Sequence, residues 1–122
     1  MNSRLLGTVF ALALTALFNR VWKVERTGAP AAPGSIFIFL PNGTLLMTSC
    51  GEPYRIALWA RDPKRADTIR LTEDRQPTVA LRLDKTSGSS AQLTQTMIRS
   101  GEKAIIRLTA QDKEFVCPDL PK

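Results

Sequence analysis

The 122-residue chain contains no histidine. That absence removes the commonest general base and the commonest transition-metal ligand. Cysteine occurs only twice, at Cys50 and Cys117, 67 positions apart. Zinc and iron–sulfur sites ordinarily show close pairs such as C-x-x-C, completed by further cysteine or histidine. The sequence therefore predicts no metal site and no cofactor. Long hydrophobic runs are also lacking. The apolar stretch near the N-terminus, residues 5–18 (LLGTVFALALTALF), falls short of the roughly 20 residues needed to span a bilayer as a helix. Beyond that run, no stretch has apolar residues at i, i+3, i+4 spacing over the 11 or more residues a helix requires.

At this length the chain is expected to form one domain. It is 43% hydrophobic and 23% charged, with a formal net charge of +6. It can bury a core, and its charge favours anionic neighbours such as nucleic acid, anionic lipid or an acidic envelope polymer. The first residues, with Arg4, a short apolar stretch and small residues at Ala11, Ala13 and Ala16, have the pattern of an export signal. The alternative is an N-terminal helix buried in a cytosolic domain. The expected division is a signal peptide or N-terminal hydrophobic anchor helix over 1–18 and a single domain over 19–122. Removal of the leader takes away Arg4 alone, leaving 16 basic against 11 acidic residues, so the basic character belongs to the folded part.

After the leader the chain alternates. VWKVER (21–26) sets Trp22, Val24 and Arg26 against Val21, Lys23 and Glu25. TGAPAAPG (27–34) reads as a loop, and SIFIFL (35–40) as a strand. PNG (41–43) is a hairpin signal, because Asn-Gly accepts positive φ, and TLLMTSC (44–50) returns antiparallel. Further segments fall at 54–61, 68–74, 78–85, 91–100, 103–111 and 114–117. Eight or so short strands at this spacing predict an all-β, antiparallel, up-and-down barrel.

The two cysteines are either disulfide-bonded or two buried free thiols. Export favours the bridge Cys50–Cys117, which would staple the C-terminus to the end of a distant strand. A cysteine nucleophile would lack its usual histidine, and the carboxylates lie mostly in turns. The chain is accordingly not expected to be an enzyme, and no catalytic residue is assigned. Arg55, Arg61, Arg70, Arg82 and Arg107 fall opposite the apolar positions of their strands, which could form a basic outer stripe or an ordinary solvated face. Trp22, Phe37, Phe39, Tyr54 and Phe115 are expected in the core. Trp59 shares a face with Arg55, either as an outer contact anchor or as a packed side chain. Gln95 shares the inward row of Leu93 and Met97, and is the one hint of a polar group lining a cavity. The candidate ligand or partner contacts are therefore Trp59, Gln95, Arg55, Arg70, Arg82 and Arg107.

Trp22-Lys23-Val24 followed by Phe39, Asn42, Gly43 and Thr44 resembles the "G-x-W-x-v … F-x-x-dG-t" opening of small bacterial extracytoplasmic lipocalin-like domains. META/HslJ-like envelope domains share part of that rhythm. The resemblance implies a barrel in the periplasm, cell envelope or secreted medium that binds a small apolar molecule or an envelope component without catalysis. The membrane would be contacted only through an uncleaved leader. An envelope protein-interaction or inhibitor module is the alternative. A cytosolic anion- or nucleic-acid-binding barrel stands behind it, and no nucleic-acid partner is expected, since exposed stacking aromatics are lacking.

Overall fold

In a computed structural model, which describes residues 14–27, 35–50 and 52–112, the chain closes into an eight-stranded antiparallel barrel. The strands are β1 (Val21–Arg26), β2 (Ile36–Leu40), β3 (Thr44–Ser49), β4 (Glu52–Arg61), β5 (Thr68–Glu73), β6 (Gln76–Ser87), β7 (Ser90–Met97) and β8 (Lys103–Ala110). Each pairs with its neighbour in sequence, and β8 closes on β1 through pairs such as Val24↔Leu108. Closure leaves no free sheet edge, which an open sheet of this composition would expose to other chains. The expected strand at 114–117 and Phe115 lie outside the described residues.

Turn chemistry sets the hairpins. Leu40 pairs with Thr44 around Pro41-Asn42-Gly43. Gly43 N–H donates to the Leu40 carbonyl at 3.2 Å, and Gly43 has φ +90°. This is a three-residue loop with its left-handed position on glycine, so Asn42 need not leave the ordinary region. Asn42 Oδ1 instead accepts the Thr44 N–H at 3.1 Å. A two-residue turn joins β5 and β6 with Asp74 at φ +49° and Arg75 at φ +67°, neither of them glycine.

The inward rows fill the interior. Trp22, Val24, Phe37, Phe39, Leu45, Leu71, Leu81, Leu83, Leu93, Ile106 and Leu108 are all buried. Strand direction places the start of β1 and the end of β2 at one end of the barrel, which is closed. There a turn at residues 14–18 lays Leu14 and Leu17 into the core at 2% and 1% exposure. Trp22 Nε1–H donates to the Leu17 carbonyl at 2.9 Å, and Asn19 N–H to the Phe39 carbonyl at 2.8 Å. The barrel therefore takes in residues 14–18, which belong to the stretch expected as leader. Among the described residues no helix is long and apolar enough to cross a membrane.

The alternation of β4 is the reverse of the expected one. Ala57 is buried, while Tyr54, Ile56 and Leu58 stand 66%, 57% and 60% exposed. Tyr54 is thus not a core residue. Register decides the matter, since Leu45 and Met47 point inward and pair with Ala57 and Arg55. On the other side Trp59 pairs with the buried Leu71. The small Ala57 stands beside Leu45 and Phe39 in the buried core, where a larger side chain would overfill the interior.

Candidate functional site

The other end of the barrel opens on a cup of about 400 Å³. Its walls are Phe37 and Met47 from β2 and β3, Leu71 from β5, Val79 and Leu81 from β6, and Met97 from β7. Each comes from an inward row of its strand, so the apolar surface is built by ordinary strand alternation. Five side chains add polarity: Arg26, Arg55, Glu73, Thr78 and Gln95. A smaller niche of about 190 Å³, lined by Arg26, Ser35, Phe37, Met47, Thr48, Ser49 and Arg55, adjoins it.

Arg26 reaches this place because it ends β1 in the same row as Trp22 and Val24, opposite the buried Ile106. Its guanidinium lies 5.8 Å from the centre of the Phe37 ring, and its Nε is buried with no hydrogen-bond partner among the described residues. Burial, and secondarily the nearby charge of Arg55, push the Arg26 guanidinium below its ordinary value. Arg55 rises from β4 at the rim, 3.5 Å from the Glu73 carboxylate. Thr78 donates its hydroxyl to Glu73 at 3.3 Å, so this acid is held from two sides. A register shift between Leu71 and Thr72 brings Glu73 and Thr78 together. Ser49 Oγ is a second buried polar atom without a partner.

Of the contacts expected from sequence, the structure brings Gln95 and Arg55 into the cup. Among the described residues Gln95 Nε2–H meets only the Met97 sulfur, at 3.3 Å, a weak acceptor. Arg55 comes from the inner face of β4, not the outer face expected for it. Trp59 is packed inside near the closed end. Its indole donates to the Leu40 carbonyl at 2.8 Å and stacks on Phe18 with ring centres 5.1 Å apart. It therefore shares no face with the outer arginines. Arg70 and Arg82 do point outward, but each meets an acid, Asp62 at 3.0 Å and Asp84 at 2.9 Å. Arg107 stands opposite Glu25 in the β1–β8 register. The expected basic stripe is thus broken by interleaved acids. Arg61, at the end of β4, is exposed. Cys50 sits in the β3–β4 connection at the open end, and Cys117 lies outside the described residues.

Sequence reasoning left out Arg26, although alternation had already set it beside Trp22 and Val24. Glu73 was legible only as a turn carboxylate, and the register shift that turns it to the cup has no sequence signature. Among the described residues no group of three or more acidic or cysteine side chains is arranged to hold a metal ion. Comparison with protein-family models, with curated proteins and with solved structures finds no match.

Proposed function

We propose that the protein is an exported, lipocalin-like binding domain that holds a small apolar molecule, without catalysis, in the cup at the open end of the barrel. The observation carrying this is the cup itself. It is a cavity of about 400 Å³ walled by Phe37, Met47, Leu71, Val79, Leu81 and Met97, within the size range of small-molecule sites. The far end is plugged by Leu14 and Leu17, which makes the barrel a cup and not a channel. Among the described residues no nucleophile with its base converges there, and the polar groups present suit orientation of a ligand.

Export belongs to the same proposal. The A-x-A at Ala11-Leu12-Ala13 ends immediately before Leu14, a residue of the plug, so cleavage after Ala13 would leave Leu14 and Leu17 in place. The bridge Cys50–Cys117 would follow in an oxidising compartment and stabilise the domain by roughly 4 kcal/mol in the chain-entropy model. The intact mass of protein produced with its own leader, before and after reduction, tests both. A chain missing residues 1–13 that gains two hydrogens on reduction is expected.

Binding is tested by titration with the neutral fluorescent probe N-phenyl-1-naphthylamine. Saturable one-to-one binding is expected, and Met97→Trp, which fills the cup from its partly exposed wall, abolishes it without loss of the folded β-sheet spectrum. Failure of the probe to bind would favour the second reading, an envelope protein-interaction module. That alternative draws on the outer face of β4, where Tyr54, Ile56 and Leu58 form an exposed apolar row.

A further inference from the structure

Building on the cup as a binding site, we infer that its ligand carries a single carboxylate, taken by Arg26 with Arg55 beside it, while its apolar body lies against Phe37, Met47, Leu71, Val79, Leu81 and Met97.

Three observations lead there. First, among the described residues the cup holds two guanidiniums and one carboxylate. Arg55 and Glu73 are 3.5 Å apart, and Glu73 also takes the Thr78 hydroxyl, so this acid is committed. Among the described residues Arg26 remains the uncompensated cation, and their lining carries one net positive charge. A monoanion neutralises it, whereas a dianion would leave an excess negative charge in a mostly apolar cup.

Second, Arg26 is placed at a cost with no visible structural return. Its Nε is buried and unpartnered, a condition expensive for any donor and more so for a charged one. The Phe37 ring at 5.8 Å supplies a cation–π contact, but that contact gives the Nε–H at the guanidinium edge no acceptor. A planar carboxylate meets that edge with two parallel hydrogen bonds. A buried unsatisfied donor at a site open to ligands is what an occupant's acceptor would repair.

Third, among the described residues the other unpartnered buried polar atom lies in the same place. Ser49 Oγ borders the niche shared by Arg26, Phe37, Met47, Thr48 and Arg55. A hydroxyl there can donate to the second carboxylate oxygen. The cations and the hydroxyl come from β1, β3 and β4, while Leu71, Val79, Leu81 and Met97 come from β5, β6 and β7.

The test compares decanoate with decanol, ligands of the same chain length that differ in the charged head, by calorimetric titration of the full chain. Decanoate is expected to bind roughly tenfold or more tightly than decanol, the range of one charge-assisted hydrogen-bonded pair. Arg26→Met should erase that preference while changing decanol affinity by less than about twofold. Arg26→Lys, which keeps the charge but not the fork, should retain only part of it. Arg82→Met removes an outer charge, so a preference that survives it is not an effect of overall charge. Equal binding of the two ligands by the unaltered protein, or a preference that survives Arg26→Met, overturns the carboxylate site and leaves the apolar cup standing. If neither ligand binds, the cup itself fails as the functional site, and the carboxylate inference fails with it.

Discussion

The indole N–H of Trp22 donates to the carbonyl of Leu17 at 2.9 Å. This bond joins a wholly buried strand residue to a segment whose composition reads as the end of an export signal. The same segment lays Leu14 and Leu17 into the core and stacks Phe18 on Trp59. An apolar run ahead of a β-domain carries two messages that composition cannot separate, since hydrophobicity serves a signal and a plug equally well.

The two roles differ in their effect on stability. Leu14→Ala and Leu17→Ala are each expected to destabilise the domain by about 2–4 kcal/mol, as buried leucines do elsewhere. A residue removed with a leader would show no effect. A chain beginning at Leu14 should match the full-length protein in its urea midpoint, and one beginning at Asn19 should unfold at much lower urea. Equal midpoints for the two truncated chains would place residues 14–18 outside the cooperative unit.

Strand β4 offers a second contrast. Ala57→Leu adds volume opposite Leu45 in a filled interior and should cost about 1–3 kcal/mol. Leu58→Ser and Tyr54→Ser, on the outer surface, should change stability by less than about 0.5 kcal/mol in chemical denaturation. The opposite ranking would mean that the strand faces the other way.

That strand also shows where the sequence stops being legible. The all-β class and the positions of β1 to β8 follow from alternation and turn residues, because a period of two and a Pro-Asn-Gly loop are local properties. Where one face of a strand is polar, as in β1 and β7, alternation also tells inside from outside. In β4 both faces carry large apolar groups, so only register with Leu45, Met47 and Leu71 selects one. The cup was legible in part for the same reason. Gln95 and Arg26 lie on rows with clear apolar partners, whereas Arg55 and Glu73 depend on the inverted strand and on a register shift.

The turn between β5 and β6 predicts a gain. Asp74 and Arg75 both hold positive φ, which side-chain-bearing residues other than Asn and Asp seldom adopt. The two-residue turn suited to a right-handed strand twist favours Asn-Gly. The double substitution Asp74→Asn with Arg75→Gly should raise stability by about 1 kcal/mol, read as a higher denaturant midpoint at unchanged slope. Neither side chain lines the cup, so binding of N-phenyl-1-naphthylamine should be preserved.

Asp62 predicts a pH dependence. Its carboxylate accepts the Lys64 N–H at 2.7 Å, the Arg70 guanidinium at 3.0 Å and the Arg65 N–H at 3.2 Å. The Lys64 backbone bond is the largest influence, and with the Arg70 contact and the Arg65 N–H it outweighs the opposing desolvation, holding the group below its ordinary value of 3.8. A carboxyl depressed in the folded state binds its proton more readily when unfolded. Its stabilisation is therefore complete at pH values above 3.8 and is lost as pH falls through the lower folded value. Asp62→Asn keeps an acceptor for the two backbone N–H groups but removes the charge. The variant should be less stable than the parent at neutral pH, and the gap should close in strong acid, where both side chains are neutral. Denaturation curves across the acid range check this, and a gap that stays constant with pH would show that Asp62 acts through turn geometry and not through its charge.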